Sequence, residues 1–241
     1  EKYIKFFEGF ALAYGVADMS TLKIDPESGK QKPDYRWNDQ PLTTQVYLNH
    51  LAGTQSIGVQ PCNEESEARF GVIDVDPKNY EDFDKKFFID IIQNYKLPLI
   101  PVLSKSGGLH LYLFMKEFVP AVLIRSFLSN LLSLFKLKPD CEIFPKQTQL
   151  TKDNETGQLN KGNFINLPYF KKSERLAINL DGKPFTFDQF ISVVESNTVH
   201  AEDLKNLTQS IEEKDLEGVD PEFEDGPPCL AHLSKIMRNP G

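Results

Sequence analysis

Residues 70–78 read FGVIDVDPK, an apolar run that ends in two aspartates and a proline. The run predicts a buried β-strand that stops at the proline. Because side chains alternate between the two faces of a strand, Asp74 and Asp76 point to one side and Ile73 and Val75 to the other. Two carboxylates this close raise each other's pKa unless a cation lies between them. The stretch therefore predicts either a divalent-metal site or a strand that simply ends in a polar turn.

A second acidic strand is predicted in residues 139–147, PDCEIFPKQ, where Asp140 and Glu142 share one face. If the two strands are neighbours, Asp74, Asp76 and Glu142 form a cluster of three carboxylates. Hard cations such as Mg²⁺ or Mn²⁺ prefer oxygen ligands of this kind. Two such ions in one cluster serve phosphoryl transfer. Either Asp140 or Glu142 fits as the third acid, and we favour Glu142.

Between these two strands, residues 104–114 read SKSGGLHLYLF. The serines and glycines predict a turn between two strands, and His110 lies at the start of the second strand. The histidine either packs within a β-hairpin or belongs to a functional site. The residues alone leave both interpretations open.

The rest of the chain alternates helices and strands, which predicts an α+β fold. With 241 residues and 40% hydrophobic residues, the chain is long enough to bury one sizeable core. Helices are predicted near residues 1–11, 41–51, 82–95, 120–135 and 187–195, and strands near 15–20, 56–60, 69–75, 99–103, 109–114, 142–144 and 164–167.

Charge and cysteine content limit the class of protein. The net charge is -8, and the acidic residues concentrate in 202–225, which predicts a solvated linker there. The three cysteines lack paired spacing, so we expect reduced thiols rather than a zinc site or disulfides. Neither a membrane span nor a signal peptide is predicted, and we expect a soluble cytoplasmic protein.

The order of these motifs resembles the archaeo-eukaryotic primase superfamily. The residues that carry the resemblance are Asp74-x-Asp76, Ser106-Gly-Gly-x-His110 and Glu142 in CEIFPKQ. They look in particular like the single-chain primase-polymerases of phages, plasmids and related mobile elements. YRW at 35–37, PLTTQVYLNHLAGTQSIGV at 41–59 and GNFINLPYF at 162–170 share the likeness.

The resemblance implies a catalytic core in which an RRM-like palm packs on an N-terminal α/β element. We expect this core in residues 1–200, an acidic linker in 201–228, and the start of a C-terminal helical domain in 229–241. Such an ending implies a piece of a longer protein, with a helicase or the remaining C-terminal domain as its partner.

The resemblance also implies roles for individual residues. Asp74, Asp76 and Glu142 would hold two Mg²⁺ or Mn²⁺ ions, and His110 would contact the phosphates of the incoming nucleotide. The other expected nucleotide-binding residues are Ser104, Lys105, Ser106, Gly107, Gly108, Lys146, Gln147, Lys161, Asn163 and Asn166. The residues expected to contact single-stranded DNA are Tyr35, Arg36, Trp37, Lys171 and Lys172, although the aromatic pair fits the edge of a core equally well.

The activity implied is that of a DNA-directed nucleotidyltransferase. It would transfer a nucleotide from a dNTP or NTP to a primer 3′-hydroxyl, or to an initiating nucleotide, on single-stranded DNA in phage or plasmid replication. One alternative is a catalytically silent RRM-like subunit that binds nucleic acid. Another is a glycosyltransferase, which uses Asp-x-Asp to hold a metal and does not need a third acid on a separate strand.

Overall fold

A computed structural model describes residues 1–24, 31–171 and 173–217. The chain divides into two compact units, Glu1–Leu204 and Lys205–Gly241. The helices are α1 (Lys2–Phe6), α2 (Thr44–Ala52), α3 (Lys85–Asn94), α4 (Ala121–Leu134), α5 (Phe187–Asn197) and α6 (Ala201–Glu217). The strands are β1 (Tyr14–Ile24), β2 (Gln31–Asn38), β3 (Ile57–Val59), β4 (Glu67–Val75), β5 (Leu99–Leu103), β6 (Leu109–Pro120), β7 (Glu142–Phe144) and β8 (Ile165–Asn166).

The sheet that carries the acidic motifs has the strand order β5-β6-β4-β7, and every neighbouring pair is antiparallel. Its elements follow one another as β4-α3-β5-β6-α4-β7. This is the split β-α-β topology of RRM-like and ferredoxin-like domains. The predicted α+β class and the predicted RRM-like palm are both confirmed.

The other sheet has the order β2-β1-β3-β8, again with antiparallel neighbours. Three of its strands come from the first 60 residues, and β8 comes from the segment after the third motif. The N-terminal α/β element is therefore completed by residues from much later in the chain. This return places the segment around residue 166 beside the N-terminal strands.

Both faces of the palm sheet are buried, as the alternation along β4 predicts. Phe70 and Val72 are fully buried in a core that also contains Val16 and Ile57 of the other sheet. On the opposite face, a side chain at Gly71 would collide with α4, so glycine permits close approach of this helix. Each fully buried side chain of this size contributes about 1.5–3 kcal/mol. Because Asp74 continues the row of Phe70 and Val72, it lies where the buried face reaches solvent.

Some predicted elements differ from the observed ones. The helix expected over residues 1–11 ends at Phe6, and β2, which contains YRW, was not predicted as a strand. Within the predicted acidic linker, α6 extends to Glu217. The rest of the linker and the predicted C-terminal start at 229–241 lie outside the described residues. Within the described ranges, no helix is both long and apolar enough to span a bilayer.

Candidate active site

Three of the predicted site residues lie in one row across three neighbouring strands. Asp74 on β4 is the direct partner of His110 on β6 and of Glu142 on β7. Directly paired residues of an antiparallel sheet have their Cβ atoms about 4.5–5.5 Å apart and project to the same face. The adjacency that the sequence left open is therefore present in the structure. Asp140 precedes β7 and lies in the turn that leads into it.

Asp76 follows β4 at the beginning of a short 3-10 turn, Pro77–Asn79. Its carboxylate accepts a hydrogen bond from the backbone N–H of Lys78, with a distance of 3.2 Å. The proline after it ends the strand because its ring lacks an N–H for the sheet. The backbone at Asp76 is still extended, so its side chain falls on the same side as that of Asp74.

Each of the three carboxylates is paired with a nitrogen-bearing side chain of the protein. Oδ1 of Asp74 lies 3.2 Å from Nε2 of His110, and Oδ2 of Asp76 lies 3.4 Å from Nζ of Lys78. Glu142 pairs with Lys146 at 2.8 Å. The last two pairs are solvent-accessible, and such pairs contribute at most about 1 kcal/mol each. These contacts are weak enough for a competing divalent cation to displace.

The carboxylates fit a hard divalent cation by the chemistry of their donors, since Mg²⁺ and Mn²⁺ take carboxylate oxygen ligands. They do not converge as placed. Among the residues that the structure describes, no three His, Cys, Asp or Glu side chains lie together in an arrangement that would hold an ion. Binding an ion here therefore requires Asp74, Asp76 and Glu142 to exchange their present side-chain partners for it.

The turn ahead of His110 is held by its own hydrogen bonds. Oγ of Ser104 accepts from the N–H of Gly108 at 3.0 Å and lies 2.9 Å from Oγ of Ser106. Gly107 has a φ of +89°, which favours glycine. Lys105, Ser106 and Gly107 are exposed, whereas Ser104 and His110 are buried. The exposed tip therefore stands on a fixed base beside the carboxylates.

Gly108 packs against the end of the Asp-x-Asp strand. A Cβ atom at this position would collide with the backbone oxygen of Val75 and would lie 2.7 Å from Cδ of Pro77. Glycine thus allows the turn to contact the backbone between Asp74 and Asp76. The turn and the two aspartates form one packed unit.

The segment after the third motif forms a network of side-chain amides. Nε2 of Gln147 donates to Oδ1 of Asn163 at 2.7 Å, and Oε1 of Gln147 accepts from the N–H of Asn163 at 2.9 Å. The same oxygen accepts from Nε2 of Gln60, which is completely buried and which no sequence motif indicated. The network joins the segment after β7 of the palm sheet to the residue that follows β3 of the other sheet.

The remaining predicted nucleotide-binding residues lie in different surroundings. Lys161 pairs with Asp39 at 2.5 Å, and Lys146 is occupied by Glu142. Asn166 lies on β8, and its Oδ1 is buried without a hydrogen-bond partner in the described part of the chain. None of these three side chains joins the row of Asp74.

The residues expected to contact DNA lie mostly on β2 of the other sheet. The Trp37 ring packs edge-on against Phe164, with centroids 5.0 Å apart, and also contacts Phe10. This packing matches the core-edge interpretation for the tryptophan. Tyr35 and Arg36 are exposed. Lys171 is also exposed, whereas Lys172 lies outside the described residues.

A pocket of about 250 Å³ opens beside the carboxylates on the β7 side. Besides the acids already named, it is lined by Lys78, Asn79, Tyr80, Lys138 and Cys141. Burial raises the pKa of Tyr80 to about 12 and that of Cys141 to about 11, so both are neutral near pH 7. The sequence analysis missed these residues. Their one indication in the sequence is proximity to the acids, because residues 78–80 follow Asp76 and residues 138 and 141 precede Glu142.

Arg125 on α4 is a second residue that the sequence did not indicate. Its Nη1 donates to the backbone oxygens of Ile143 and Pro145, each at 2.8 Å. These two carbonyls flank the end of β7, so the guanidinium holds the strand that carries Glu142. His50 on α2 is completely buried and lies away from this row.

Comparisons with known proteins identify the family of the chain. A family model described as the archaeo-eukaryotic primase domain of the TOTE conflict system matches residues 20–214. Among solved structures, the chain is similar to the corresponding domain of the primase-polymerase of cyanophage S-2L, with 12% sequence identity and a TM-score of 0.38. That match covers 80% of this chain and 94% of the other. The search of curated proteins found no match.

Proposed function

Because the chain belongs to the archaeo-eukaryotic primase domain family of the TOTE conflict system, we propose that it is a template-directed, divalent-metal-dependent nucleotidyltransferase. Its substrates would be dNTPs or NTPs and a primer 3′-hydroxyl, or an initiating nucleotide, on single-stranded DNA. The observation that carries this proposal is the row of His110, Asp74 and Glu142 across three strands, with Asp76 two residues further along.

In the proposed reaction the 3′-hydroxyl oxygen attacks the α-phosphorus of the nucleotide. A new P–O bond forms, the bond between the α-phosphorus and the bridging oxygen breaks, and pyrophosphate leaves. Mg²⁺ or Mn²⁺ held by Asp74, Asp76 and Glu142 would lower the pKa of the attacking hydroxyl and neutralise charge on the phosphates. His110 would donate to a phosphate oxygen, and the turn with Ser104, Lys105 and Ser106 would orient the triphosphate.

The other partners are proposed on weaker grounds. Exposed Tyr35, Arg36 and Lys171 would contact the template strand by stacking and charge. Gln147 and Asn163 would line the nucleotide pocket through their amide network. The family's description names a conflict system, and we propose that the chain performs this chemistry there or in phage or plasmid replication. Its protein partner would be a helicase or a C-terminal domain.

Of the two alternatives, family membership removes the support for a glycosyltransferase. A catalytically silent nucleic-acid-binding subunit has one observation in its favour, since each carboxylate is paired with a lysine or histidine of the protein and no ion-binding arrangement occurs in the described ranges. That alternative predicts DNA binding that does not depend on the carboxylates, and no turnover.

The test is extension of a labelled primer on a single-stranded DNA template, with dNTPs or NTPs and with Mg²⁺ or Mn²⁺. The unmodified chain is compared with the Asp74→Asn/Asp76→Asn variant, which preserves the shape of the side chains. We expect metal-dependent extension that is lost in the variant, while DNA binding persists. If neither protein extends the primer and both bind DNA equally, the silent-subunit alternative replaces the proposal.

A further inference from the structure

The lysines around the carboxylates fall into two groups. Lys78, Lys146 and Lys161 each form an ion pair with a carboxylate. Lys138, which lines the pocket on the β7 side, has no ion-pair partner among the residues that the structure describes. Its Nζ lies over the Tyr80 ring, 5.8 Å from the centroid. Among the described residues, Lys138 on the β7 side is therefore an exposed positive charge that does not neutralise an acid, as is Lys105 on the turn at the β6 side.

Residues 138–141, which lead into β7, are hydrogen-bonded to the end of β4 and to the turn that follows it. The backbone N–H of Lys138 donates to the Tyr80 hydroxyl at 3.3 Å. Sγ of Cys141 donates to the backbone oxygen of Asp74 at 3.4 Å. These contacts tie residues 138–141 to the strand end that carries the aspartates. The backbone of Lys138 is thus tied to the strand end beside the carboxylates, and its side chain lies over the Tyr80 ring.

In-line phosphoryl transfer places the nucleotide and the attacking hydroxyl on opposite sides of the reacting phosphorus. Along the row of His110, Asp74 and Glu142, these sides correspond to strand β6 and strand β7. The attacking and leaving oxygens lie roughly in line on opposite sides of the phosphorus. If the triphosphate lies on the β6 side, against His110 and the turn at 104–108, the attacking hydroxyl approaches from the β7 side. The pocket with Lys138 is on that side, next to Glu142.

The size and lining of the pocket agree with this assignment. Its volume of about 250 Å³ falls just below the range of small-molecule sites, which begins at about 300 Å³. It suits one sugar and its phosphate better than a whole nucleoside triphosphate. The lining is polar, with a tyrosine ring, an amide and two lysines beside the acids.

We propose that this pocket binds the 3′-terminal sugar and phosphate of the strand that is extended, and that Lys138 contacts the terminal phosphodiester. Tyr80 is a positioning residue that fixes the Lys138 turn through its hydroxyl and its ring. The inference rests on the proposed nucleotidyl transfer and deepens it by assigning a site to the primer.

The experiment measures the binding of fluorescent DNA by anisotropy over a series of salt concentrations. One probe is a primer–template with a recessed, dideoxy-terminated 3′ end, and the other is the single-stranded template alone. The proteins are the unmodified chain, Lys138→Ala, Lys138→Arg and Lys183→Ala. Lys183 is an exposed lysine outside the pocket and serves as the charge-matched control.

We expect Lys138→Ala to bind the recessed probe about tenfold more weakly, as loss of a charged hydrogen bond implies. The slope of log Kd against log salt concentration should fall by about one. Binding of the single strand should be unchanged, Lys138→Arg should restore the preference for the recessed end, and Lys183→Ala should match the unmodified chain. In extension assays, KM for primer–template should rise while KM for the dNTP stays constant.

Two results would overturn the inference. One is a raised KM for the dNTP with unchanged primer binding, which would place the triphosphate in the pocket. The other is an equal loss for both probes, or no loss for either. Failure of the proposed function is seen separately, because the unmodified chain would then not extend any primer, whatever the Lys138 variants bind.

Discussion

Asp74 and His110 stand opposite each other on neighbouring strands, and Nε2 of the histidine lies 3.2 Å from Oδ1 of the aspartate. His110 is 8% exposed, so little of the residue is open to solvent. A metal ion on Asp74 would compete with the imidazole for the carboxylate. Release of Nε2 would then make this donor available to a phosphate oxygen. The pair would link the proposed metal site and the proposed phosphate site in one contact.

Replacement of His110 by glutamine tests its role toward the nucleotide. We expect kcat/KM for the dNTP to fall about 10- to 100-fold, because a charged hydrogen bond contributes about 1.5–3 kcal/mol. Steady-state extension kinetics measure the loss. His200→Gln is the matched control, since His200 pairs with Glu117 at 2.8 Å away from the site. Equal kinetics for the two variants would contradict the phosphate role.

Substitution of Gly108 tests the packing between the turn and the aspartates. Gly108→Ala would drive a methyl group into the backbone of Val75, and strain of this kind costs about 1–3 kcal/mol. We expect the free energy of unfolding to fall by that amount and extension to fall more than tenfold, because Asp74 and Asp76 flank the displaced backbone. Urea unfolding and primer extension measure the two effects.

Gly107→Asn is the control for the adjacent position. Gly107 has a positive φ, but no atom lies within 4 Å of a Cβ placed there. Asparagine tolerates this backbone conformation better than most residues. Activity that falls as far in Gly107→Asn as in Gly108→Ala would show that the turn, rather than its contact with Val75, sets the rate.

Arg125 is expected to support the third acid without contacting substrate. Arg125→Met keeps the apolar stem but removes both hydrogen bonds to the end of β7, which should destabilise the protein by about 1.5–3 kcal/mol. Because these bonds hold the strand of Glu142, the affinity for Mn²⁺ should also fall. Urea unfolding measures the first effect, and calorimetric Mn²⁺ titration measures the second without turnover.

Arg69→Met provides the comparison for Arg125. Arg69 is also partly buried, pairs with Glu8 at 2.6 Å and donates to the backbone oxygen of Lys116. Its loss should destabilise the fold to a similar extent and leave Mn²⁺ affinity unchanged. A similar loss of Mn²⁺ affinity in both variants would mean that Arg125 acts only through general stability.

The parts of the site that sequence could predict are those set by local pattern. Alternation along 70–78 placed Asp74 and Asp76 on one side, and the glycines of the 104–108 turn indicated a tight connection. The same rule placed Asp140 and Glu142 on one face of a second strand and did not decide between them. The register of Glu142 against Asp74 did not follow from it, because the pairing of strands almost 70 residues apart depends on the whole sheet.

The residues that sequence missed act through long-range contacts. Arg125 lies on an amphipathic helix, and nothing local shows that it reaches the carbonyls of β7. Gln60 follows a buried strand and finds its partner, Gln147, 87 residues later. Strand β2 was missed because YRW was considered for DNA contact and not for pairing. Strand β2 is defined by its antiparallel pairing with β1, which local sequence does not reveal.

His50 gives a prediction for stability that is independent of catalysis. Its Nδ1 accepts from the N–H of Ile57, so Nε2 carries the hydrogen and donates to the backbone oxygen of Pro168 at 2.8 Å. Burial lowers the pKa of His50 from 6.5 to about 4 in the folded protein. The neutral ring therefore joins helix α2 to strand β3 and to the segment after β8.

The sign of the pH dependence follows from this lowered pKa. Between about pH 4 and 6.5 the unfolded chain binds more protons at His50 than the folded protein does, so the free energy of unfolding rises with pH in that window. The stabilisation is complete above the unfolded pKa and is lost as the pH falls toward the folded one. The full effect corresponds to about 3 kcal/mol.

Urea unfolding followed by circular dichroism at several pH values between about 4.5 and 7 measures this dependence. Carboxylates titrate in part of the same window, so the comparison is with His50→Gln, which cannot take up a proton. The variant should be less stable near pH 7 and should show a smaller rise in stability from acid to neutral pH. Parallel curves for the two proteins would mean that His50 is protonated equally in both states, and that burial does not keep its ring neutral.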